Sequence, residues 1–381
     1  MTVLHLTHTS LVWDYRIIKE LNSICKSDIY RTYAFGVHSS NSNSPQGNLD
    51  THRVTHVNLN LVFSKLKGIV PNFVYYIVSF VEIQVRFFFL GLKLKPKIIH
   101  CHDSTILLAG YLLSKLCRSY LIYDAHELNF MRSSPRYVNY TNKLIESFAW
   151  SRINLLISVS QGILDFYKFY HGNKEILLIP NCNEFNIDSI VTGHRVDLRE
   201  VYDIPSDIPI FIFIGAFIHG RGIKNILDAF SNDDVVSHLV FIGYGELEGL
   251  IGDYDYCNRI HNYGPLKPED LISIASSGDY GLCLLEPISY SDYLSLPNKF
   301  YDYLNSNLKI ISSSLPEIQS ETLKHNLGYV ISGDVQSILN IVLRIEQDFK
   351  SNQFKENHNL THFNWHYHSE ILLDKYIQIL A

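Results

Sequence analysis

The 381-residue sequence has no CxxC pair; its six cysteines, Cys25, Cys101, Cys117, Cys182, Cys257 and Cys283, are scattered, several within apolar runs that read as core strands. That excludes a disulfide framework and fits a reducing cytoplasm. Positive charge is not in excess either. Lys and Arg total 32 against 38 Asp and Glu, giving a net charge of -6 and a pI near 6.3. A nucleic-acid partner would call for a dominant basic face, so none is expected. The opening MTVLHLTHTS lacks a basic region followed by an apolar run and reads as a first strand, not a signal peptide. Fixed-period repeats and low-complexity tracts are absent as well.

What is present is enough chain for two cores of roughly 150–200 residues each. One stretch approaches the length of a membrane span, Ile69 to Leu92 (IVPNFVYYIVSFVEIQVRFFFLGL). Pro71, Asn72, Glu82, Gln84 and Arg86 interrupt it, and a charge at mid-bilayer costs roughly 2.5 kcal/mol or more. It reads as a buried or surface-lying helix. Lys65, Lys67, Arg86, Lys93, Lys95 and Lys97 surround its aromatics, a combination suited to an anionic lipid surface and equally open to a plain core helix. Residues 65–97 are thus the candidate membrane-contacting element.

The first half alternates short apolar runs with helical stretches: strands at Val3–Thr7, Ile98–Cys101, Tyr120–Tyr123, Asn154–Ser158 and Ile176–Ile179, and helices at Asp14–Ile24, Thr105–Leu116 and Lys143–Trp150. That grammar predicts a mostly parallel sheet covered on both faces, with ligands beyond the carboxyl ends of its strands. Polar residues gather at those ends: His8, His102 with Asp103, Asp124-Ala125-His126-Glu127, and Ser158 with Ser160. Asn183 to Pro209 has no period and reads as a linker. The grammar then restarts with Ile210–Ile214, Leu239–Ile242 and Arg259–Tyr263. The predicted domains are 1–190, joined by a terminal helix at 361–381 that packs back on it, and 205–360.

The chemistry concentrates between Gly278 and Glu317. A strand at Tyr280–Leu285, a polar loop over Glu286–Ser295, a helix opened by Pro297 and a strand at Lys309–Ser312 are expected there. Helix starts bind anions through unpaired N–H groups and the dipole. Asn298 and Lys299 fall in that first turn and Asp302 one turn on, which describes a diphosphate near Lys299 and a ribose near Asp302. An ordinary helix start with a solvated lysine is the plain alternative. In IGAFIHGRGIKNILDAF, Gly215 closes a strand and Gly220-Arg221-Gly222 precede a helix, so a guanidinium fork is available for phosphate. Gly243-Tyr244-Gly245 ends another strand. Arg221 and Lys299 together would neutralise a leaving pyrophosphate without a metal. His100 and His102 share a strand face, but no third metal ligand is predictable, and Asp253-Tyr254-Asp255 reads as a solvated turn. His126 could polarise a substrate oxygen or be purely structural. The tail histidines His362, His366 and His368 fall on an expected surface helix with no chemistry assigned.

In combination, DYRIIKEL, IIHCHDSTILLAG, LIYDAHEL, SVSQGI, LLIPN, GAFIHGRGIKNILDAF, VFIGYGELEGL, YGPL, SLPNKFYDYLNSNLKIISSSLPE and FNWHYHSEILLDKYIQIL resemble, in order and over nearly the whole length, a group 1 (family four) retaining glycosyltransferase of GT-B fold. The resemblance implies an α/β chain of two Rossmann-like domains facing across a cleft, the closing helix crossing back to the first. It implies a nucleotide-sugar donor, UDP favoured over GDP, bound by the C-terminal domain, and a saccharide or lipid-linked oligosaccharide acceptor bound by the N-terminal domain. It further implies retention of configuration, no cofactor or metal, and a role in surface polysaccharide assembly at the inner membrane face. Arg221 and Lys299 match the pyrophosphate positions, Asp302 a ribose-binding acid and His126 a histidine near the donor sugar. Gly215, Gly243, Gly245 and Asn298 line the donor side, and Asp14, Arg16 and Asp103 the acceptor side. Two departures stand out. The family's upstream acid falls on Leu294, leaving Glu286 as the nearest candidate, and the N-terminal Gly-rich loop is replaced by THTSLVWDYR. A nucleotide-binding scaffold without turnover is therefore the competing expectation.

Overall fold

Short apolar runs in both halves of the chain form parallel sheets. In the computed structural model, which describes residues 1–11, 14–27, 30–38, 49–50, 53–183, 196–349 and 361–380, the first sheet holds β1 (Thr2–Thr7), β2 (Arg31–Val37), β3 (Val54–Leu59), β4 (Ile98–His102), β5 (Tyr120–Ala125), β6 (Leu155–Ser158) and β7 (Glu175–Leu178). Their order is β3-β2-β1-β4-β5-β6-β7 and every pairing is parallel. The second sheet holds β8 (Ile210–Ile214), β9 (His238–Ile242), β10 (Ile260–Gly264), β11 (Tyr280–Cys283), β12 (Lys309–Ser313) and β13 (Gly328–Ile331), ordered β10-β9-β8-β11-β12-β13. Central strands such as Ile210–Ile214 are buried throughout, as expected of parallel sheets covered by helices. In each sheet the chain order reverses beside the first strand, between β1 and β4 and between β8 and β11. Open α/β sheets bind ligands at such switch points.

The chain divides into two compact units, Met1–Pro180 with His366–Ala381, and Asn181–Trp365. The helix Trp365–Leu380 thus adds its greater part to the first unit, where Tyr376 is fully buried against His5 and His100. That corrects the surface reading of the tail. His362 and His366 are exposed, but His368 is buried.

Three local expectations also change. The stretch assigned to a linker contains the helix Leu198–Tyr202, capped by Asp197 and tied to the second unit by Arg199, which donates to Asp279 at 2.7 Å. Five residues are too few for a helical period to show. The polar loop after β11 holds one helical turn, Tyr290–Tyr293, closed by a reciprocal capping box between Ser289 and Asp292. The helix expected at Lys143–Trp150 begins earlier and spans Arg136–Ala149. Asp253 and Asp255 are solvated as expected, whereas Tyr254 between them is buried and hydrogen-bonds Asp228.

The long apolar segment forms the helix Asn72–Leu94, among the described residues the only one long and apolar enough to cross a membrane. Its polar residues hold it to the first unit. Glu82 accepts the backbone N–H groups of Val62 and Phe63 at 2.7 and 3.1 Å. Gln84 donates to the Thr105 carbonyl and accepts from the Ala109 N–H. The opposite face carries Phe73, Ile77, Val81, Val85 and Phe89, exposed at a spacing of four.

Candidate functional site

In the second unit, the site is built from the gap between β8 and β11. These strands pair only at Tyr280↔Phe211 and Gly281↔Ile212 and then part. Tyr303, on the helix Asn298–Asn305, fills the opening: its hydroxyl donates to the Leu282 carbonyl at 2.9 Å and accepts the Ile214 N–H at 3.0 Å. The ring lies so close to Gly281 that a Cβ there would come within 2.3 Å of it. Tyr303 therefore fixes that helix, and Lys299, one turn earlier on the same face, is fixed with it.

Lys299 is 7% exposed, and its Nζ has no hydrogen-bond partner. It lies 4.0 Å from the centre of the Phe213 ring, an attraction that replaces little of the lost hydration. Burial pulls its pKa down to about 8, opposed by Cys283 and reinforced to a lesser degree by the nearby charge of Arg221. Both cations act on the buried Cys283 thiol, which burial pushes up to about 11 despite them. Arg221 and Lys299 thus share one neighbourhood.

The loop carrying Arg221 is shaped by glycines in the left-handed region, where any side chain would be strained. Gly220 and Gly222 adopt φ of 80° and 70°, and a Cβ at Gly220 would approach Ile288 to 2.1 Å. Glu286 lies beside this loop, its backbone N–H donating to the Gly220 carbonyl at 3.0 Å while its side chain is exposed. Leu294 is buried. Gly215, Gly243 and Gly245 close β8 and β9 so tightly that Cβ atoms on Gly243 and Gly245 would fall 2.0 Å from the Gly215 carbonyl and 2.5 Å from that of Phe217. Asn298 Oδ1 accepts from Asn181 at 2.8 Å and Asp302 Oδ1 from Asn183 at 3.0 Å.

In the first unit, polar side chains converge at the ends of β1, β4 and β5. Strand register places His5 opposite His100 and His102 opposite Asp124. Arg16 is not free for a ligand. Its guanidinium forks onto Asp124 at 3.0 and 3.2 Å, donates to the Ile179 carbonyl at 2.8 Å and pairs with Glu20 at 3.1 Å. Asp14 caps the helix Tyr15–Ile24, accepting from the Ile17 N–H and from the Thr9 hydroxyl at 2.9 Å. Both acceptor-side candidates therefore serve the local architecture. Asp103, the third, has φ of 66° with an extended ψ, a conformation that costs roughly 1–3 kcal/mol for a side chain other than glycine. Its carboxylate repays this by accepting the His126 N–H at 3.2 Å and the Asn129 amide at 3.1 Å.

His126 is the partly exposed member of the group. Its Nε2 lies 3.2 Å from Asp124 Oδ2 and its Nδ1 3.7 Å from Asp103 Oδ2. Burial alone would lower its pKa, but Asp103 and then Asp124 outweigh that and raise it to about 9. Asp124 itself stays well below the usual carboxylate range, since Arg16 and His126 overcome its burial. Buried Glu20 moves the other way, up to about 8, through desolvation and the Asp124 charge. The further groups that strand spacing could not reveal are His5, Glu20 and Tyr376. Two sets here offer atoms within 4.8 Å that could hold a metal ion, His5/Glu20/His100/His102 and His102/Asp124/His126.

No protein-family model matches the chain, and no curated protein matches it. Solved structures do. Sucrose-phosphate synthase from Thermosynechococcus elongatus aligns with a TM-score of 0.75 at 15% identity, over 100% of this chain and 99% of that one. Anabaena HepE in complex with UDP-glucose gives 0.71 at 13%, over 99% and 100%. An alpha,alpha-trehalose-phosphate synthase (UDP-forming) from Burkholderia xenovorans in complex with glucose-6-phosphate gives 0.67 at 9%, over 100% of both chains. Over its whole length, then, this chain has the α/β fold of the GT-B glycosyltransferases.

Proposed function

We propose that the protein is a glycosyltransferase that uses a nucleotide-diphosphate sugar, with UDP favoured over GDP. The observation that carries this reading is the buried, unpartnered ammonium of Lys299 beside Arg221 at the β8/β11 switch point. A cation kept dry without a partner is costly, and a diphosphate is the ligand that would repay it. In this reading Arg221 and Lys299 take up the charge that develops on the departing diphosphate, so no metal is needed for that purpose. Asn298 and Asp302, at the start of the same helix, address the donor's ribose end. His126, held charged by Asp103 and Asp124, is the group the first unit offers to a sugar oxygen. The transfer proceeds with retention, the leaving phosphate helping to accept the acceptor's proton. UDP in the names of the HepE and trehalose-phosphate synthase structures supports the choice of base.

The acceptor in this proposal is a saccharide or lipid-linked oligosaccharide of surface polysaccharide assembly, met at the cytoplasmic membrane face. Supporting it, the helix Asn72–Leu94, with its exposed apolar stripe, packs beside the helix Leu107–Cys117, which exposes Leu112 and Leu116, and next to that helix lies Arg136–Ala149, exposing Tyr140, Leu144 and Phe148. Exposed Lys65, Lys67, Lys93, Lys95, Lys97, Lys115 and Lys143 occur on the same elements or beside them. A broad apolar face edged by lysines fits an anionic bilayer surface.

A thermal-shift series with UDP-glucose, UDP-N-acetylglucosamine, GDP-mannose and the free nucleotides tests the donor. UDP compounds should raise the melting temperature by mass action and lose that effect in Lys299→Ala. Stabilisation by none of them overturns the proposal. NMR of the product's anomeric centre tests retention, and flotation with phosphatidylglycerol vesicles tests the membrane face. Burial of Leu294 where an acid is expected favours one rival, a nucleotide-binding scaffold. Donor binding with no transfer to any lipid-linked acceptor would establish it.

A further inference from the structure

His100 and His102 share one face of β4, and the folded sheet brings a third and a fourth group beside them. Strand register sets His5 of β1 opposite His100, and the helix Tyr15–Ile24 carries Glu20 to the same place. All four side chains are fully buried, and one nitrogen or oxygen from each lies within 4.8 Å of those from the other three.

Their polar atoms divide into an outer and an inner set. On the outside each group is engaged. His100 Nδ1 lies 2.6 Å and His5 Nε2 3.3 Å from Tyr376 Oη. His102 Nδ1 faces Asp124 Oδ2 at 3.5 Å, and Glu20 Oε1 faces Arg16 Nε at 3.1 Å. On the inside the atoms face one another. His100 Nε2 and Glu20 Oε2 are 3.8 Å apart and have no hydrogen-bond partner among the described residues. That distance is too long for a hydrogen bond between them, and buried polar atoms left so are costly. His5 Nδ1 and His102 Nε2 are 3.0 Å apart. Ligand atoms held about 2.0–2.2 Å from a tetrahedral ion stand about 3.3–3.6 Å from each other, between these two separations.

We propose that His5, Glu20, His100 and His102 form a structural metal site for Zn2+, which fastens the helix Tyr15–Ile24 to β1 and β4. Three imidazole nitrogens and one carboxylate oxygen, closed off from solvent, make a donor set suited to that ion. The outer contacts are those such ligands require, since an acceptor on the far nitrogen of each imidazole orients the ring and leaves the near nitrogen for the metal. The Tyr376 oxygen serves His5 and His100 in this way, and the Asp124 carboxylate serves His102. Burial lowers the pKa of all three imidazoles and so favours the neutral form that ligates. Glu20 binds as the carboxylate, any proton on it leaving as the ion enters.

Ligation also requires His100 and His102, whose rings stack with centres 4.3 Å apart, to tilt toward a common point. The charges of Asp103, Asp124 and ionised Glu20 offset those of the ion and Arg16, and the positive charge left over is that of partly exposed His126. The overlapping set of His102, Asp124 and His126 is the poorer host, because Arg16 already forks onto both Asp124 oxygens. Metal binding here does not depend on the proposed sugar transfer.

Metal content tests the site without reference to activity. The full chain, purified without a polyhistidine tag and stripped by a chelator, should take up one equivalent of Zn2+ and melt at a higher temperature for it. Uptake below about a tenth of an equivalent by elemental analysis overturns the proposal. Tyr376→Phe, which removes the outer partner of two ligands, should weaken Zn2+ binding by about 10–100-fold, and Glu20→Gln by at least as much. Unchanged affinity in Glu20→Gln places the ion elsewhere and overturns the assignment. His126→Gln should keep its equivalent of Zn2+; loss of it there would move the ion to the overlapping set and overturn the assignment too. If the variants fail to fold, Co2+ in the wild type still decides. Tetrahedral d–d bands with no thiolate charge-transfer band are expected, whereas octahedral bands or a thiolate band, the mark of a cysteine ligand, overturn the proposal.

Discussion

The ammonium of Lys299 lies 4.0 Å from the centre of the Phe213 ring and has no hydrogen-bond partner. Folding alone gains little from such an arrangement, because its pKa is drawn below the ordinary 10.5 by burial. A group whose charged form the fold disfavours is a liability until something binds it.

Lys299→Met should therefore stabilise the unliganded protein, by on the order of 1–3 kcal/mol, while abolishing stabilisation by UDP. Calorimetric melting with and without nucleotide reads both effects. A structural lysine would give the opposite first result, a lower melting temperature.

Nucleotide affinity should fall as pH rises. Free Lys299 releases its proton near pH 8, and a diphosphate binds the charged form, so the dissociation constant should climb through that pH by up to about tenfold per unit. Folding shows the reverse sign. Because the folded value lies below 10.5, the lysine's burial penalty fades between about pH 8 and 10.5. Isothermal titration at pH 7 and pH 9 in one buffer system would expose a flat profile if the ammonium does not meet the ligand.

His126 makes a contribution of the other sense. Its folded pKa of about 9 exceeds the ordinary 6.5, so its ion pairs with Asp103 and Asp124 stabilise fully below pH 6.5 and fade as pH rises through 9. His126→Gln should narrow the gap between wild type and variant across that window. Urea denaturation midpoints at its two ends measure it.

Asp103 should separate backbone strain from side-chain chemistry. Both Asp103→Gly and Asp103→Ala lose the carboxylate that receives His126 and Asn129, but only glycine relaxes a φ of 66°. The glycine variant should be the more stable of the two by about 1 kcal/mol, and equal stability would show that the backbone there is unstrained. Each should also lower the His126 midpoint.

The alternation that defines the sheets was visible because parallel strands are continuous apolar runs, as in IFIFI and HLVFI, set between helical periods. The start of the helix Asn298–Asn305 was marked by Pro297, and its first turn does hold Lys299. What escaped reading is long-range. Tyr376 meets His100 across 276 positions, and nothing local to either signals the contact. Arg16, matched by the resemblance to the acceptor side, closes the stretch THTSLVWDYR, yet it is drawn inward by Asp124, a residue 108 positions away. The turn at Tyr290–Tyr293 is a different case, since Ser289 and Asp292 spell a capping box that spacing alone could have disclosed.

The position of Tyr376 also bears on how the chain is made. The interior of the first unit receives the tyrosine only after the ribosome has passed the 185 residues of Asn181–Trp365, so His5 and His100 wait through synthesis of an entire second unit for their last neighbour. A nascent first unit has its seven strands but not its final seal, and a truncated product lacking the helix Trp365–Leu380 would keep that opening.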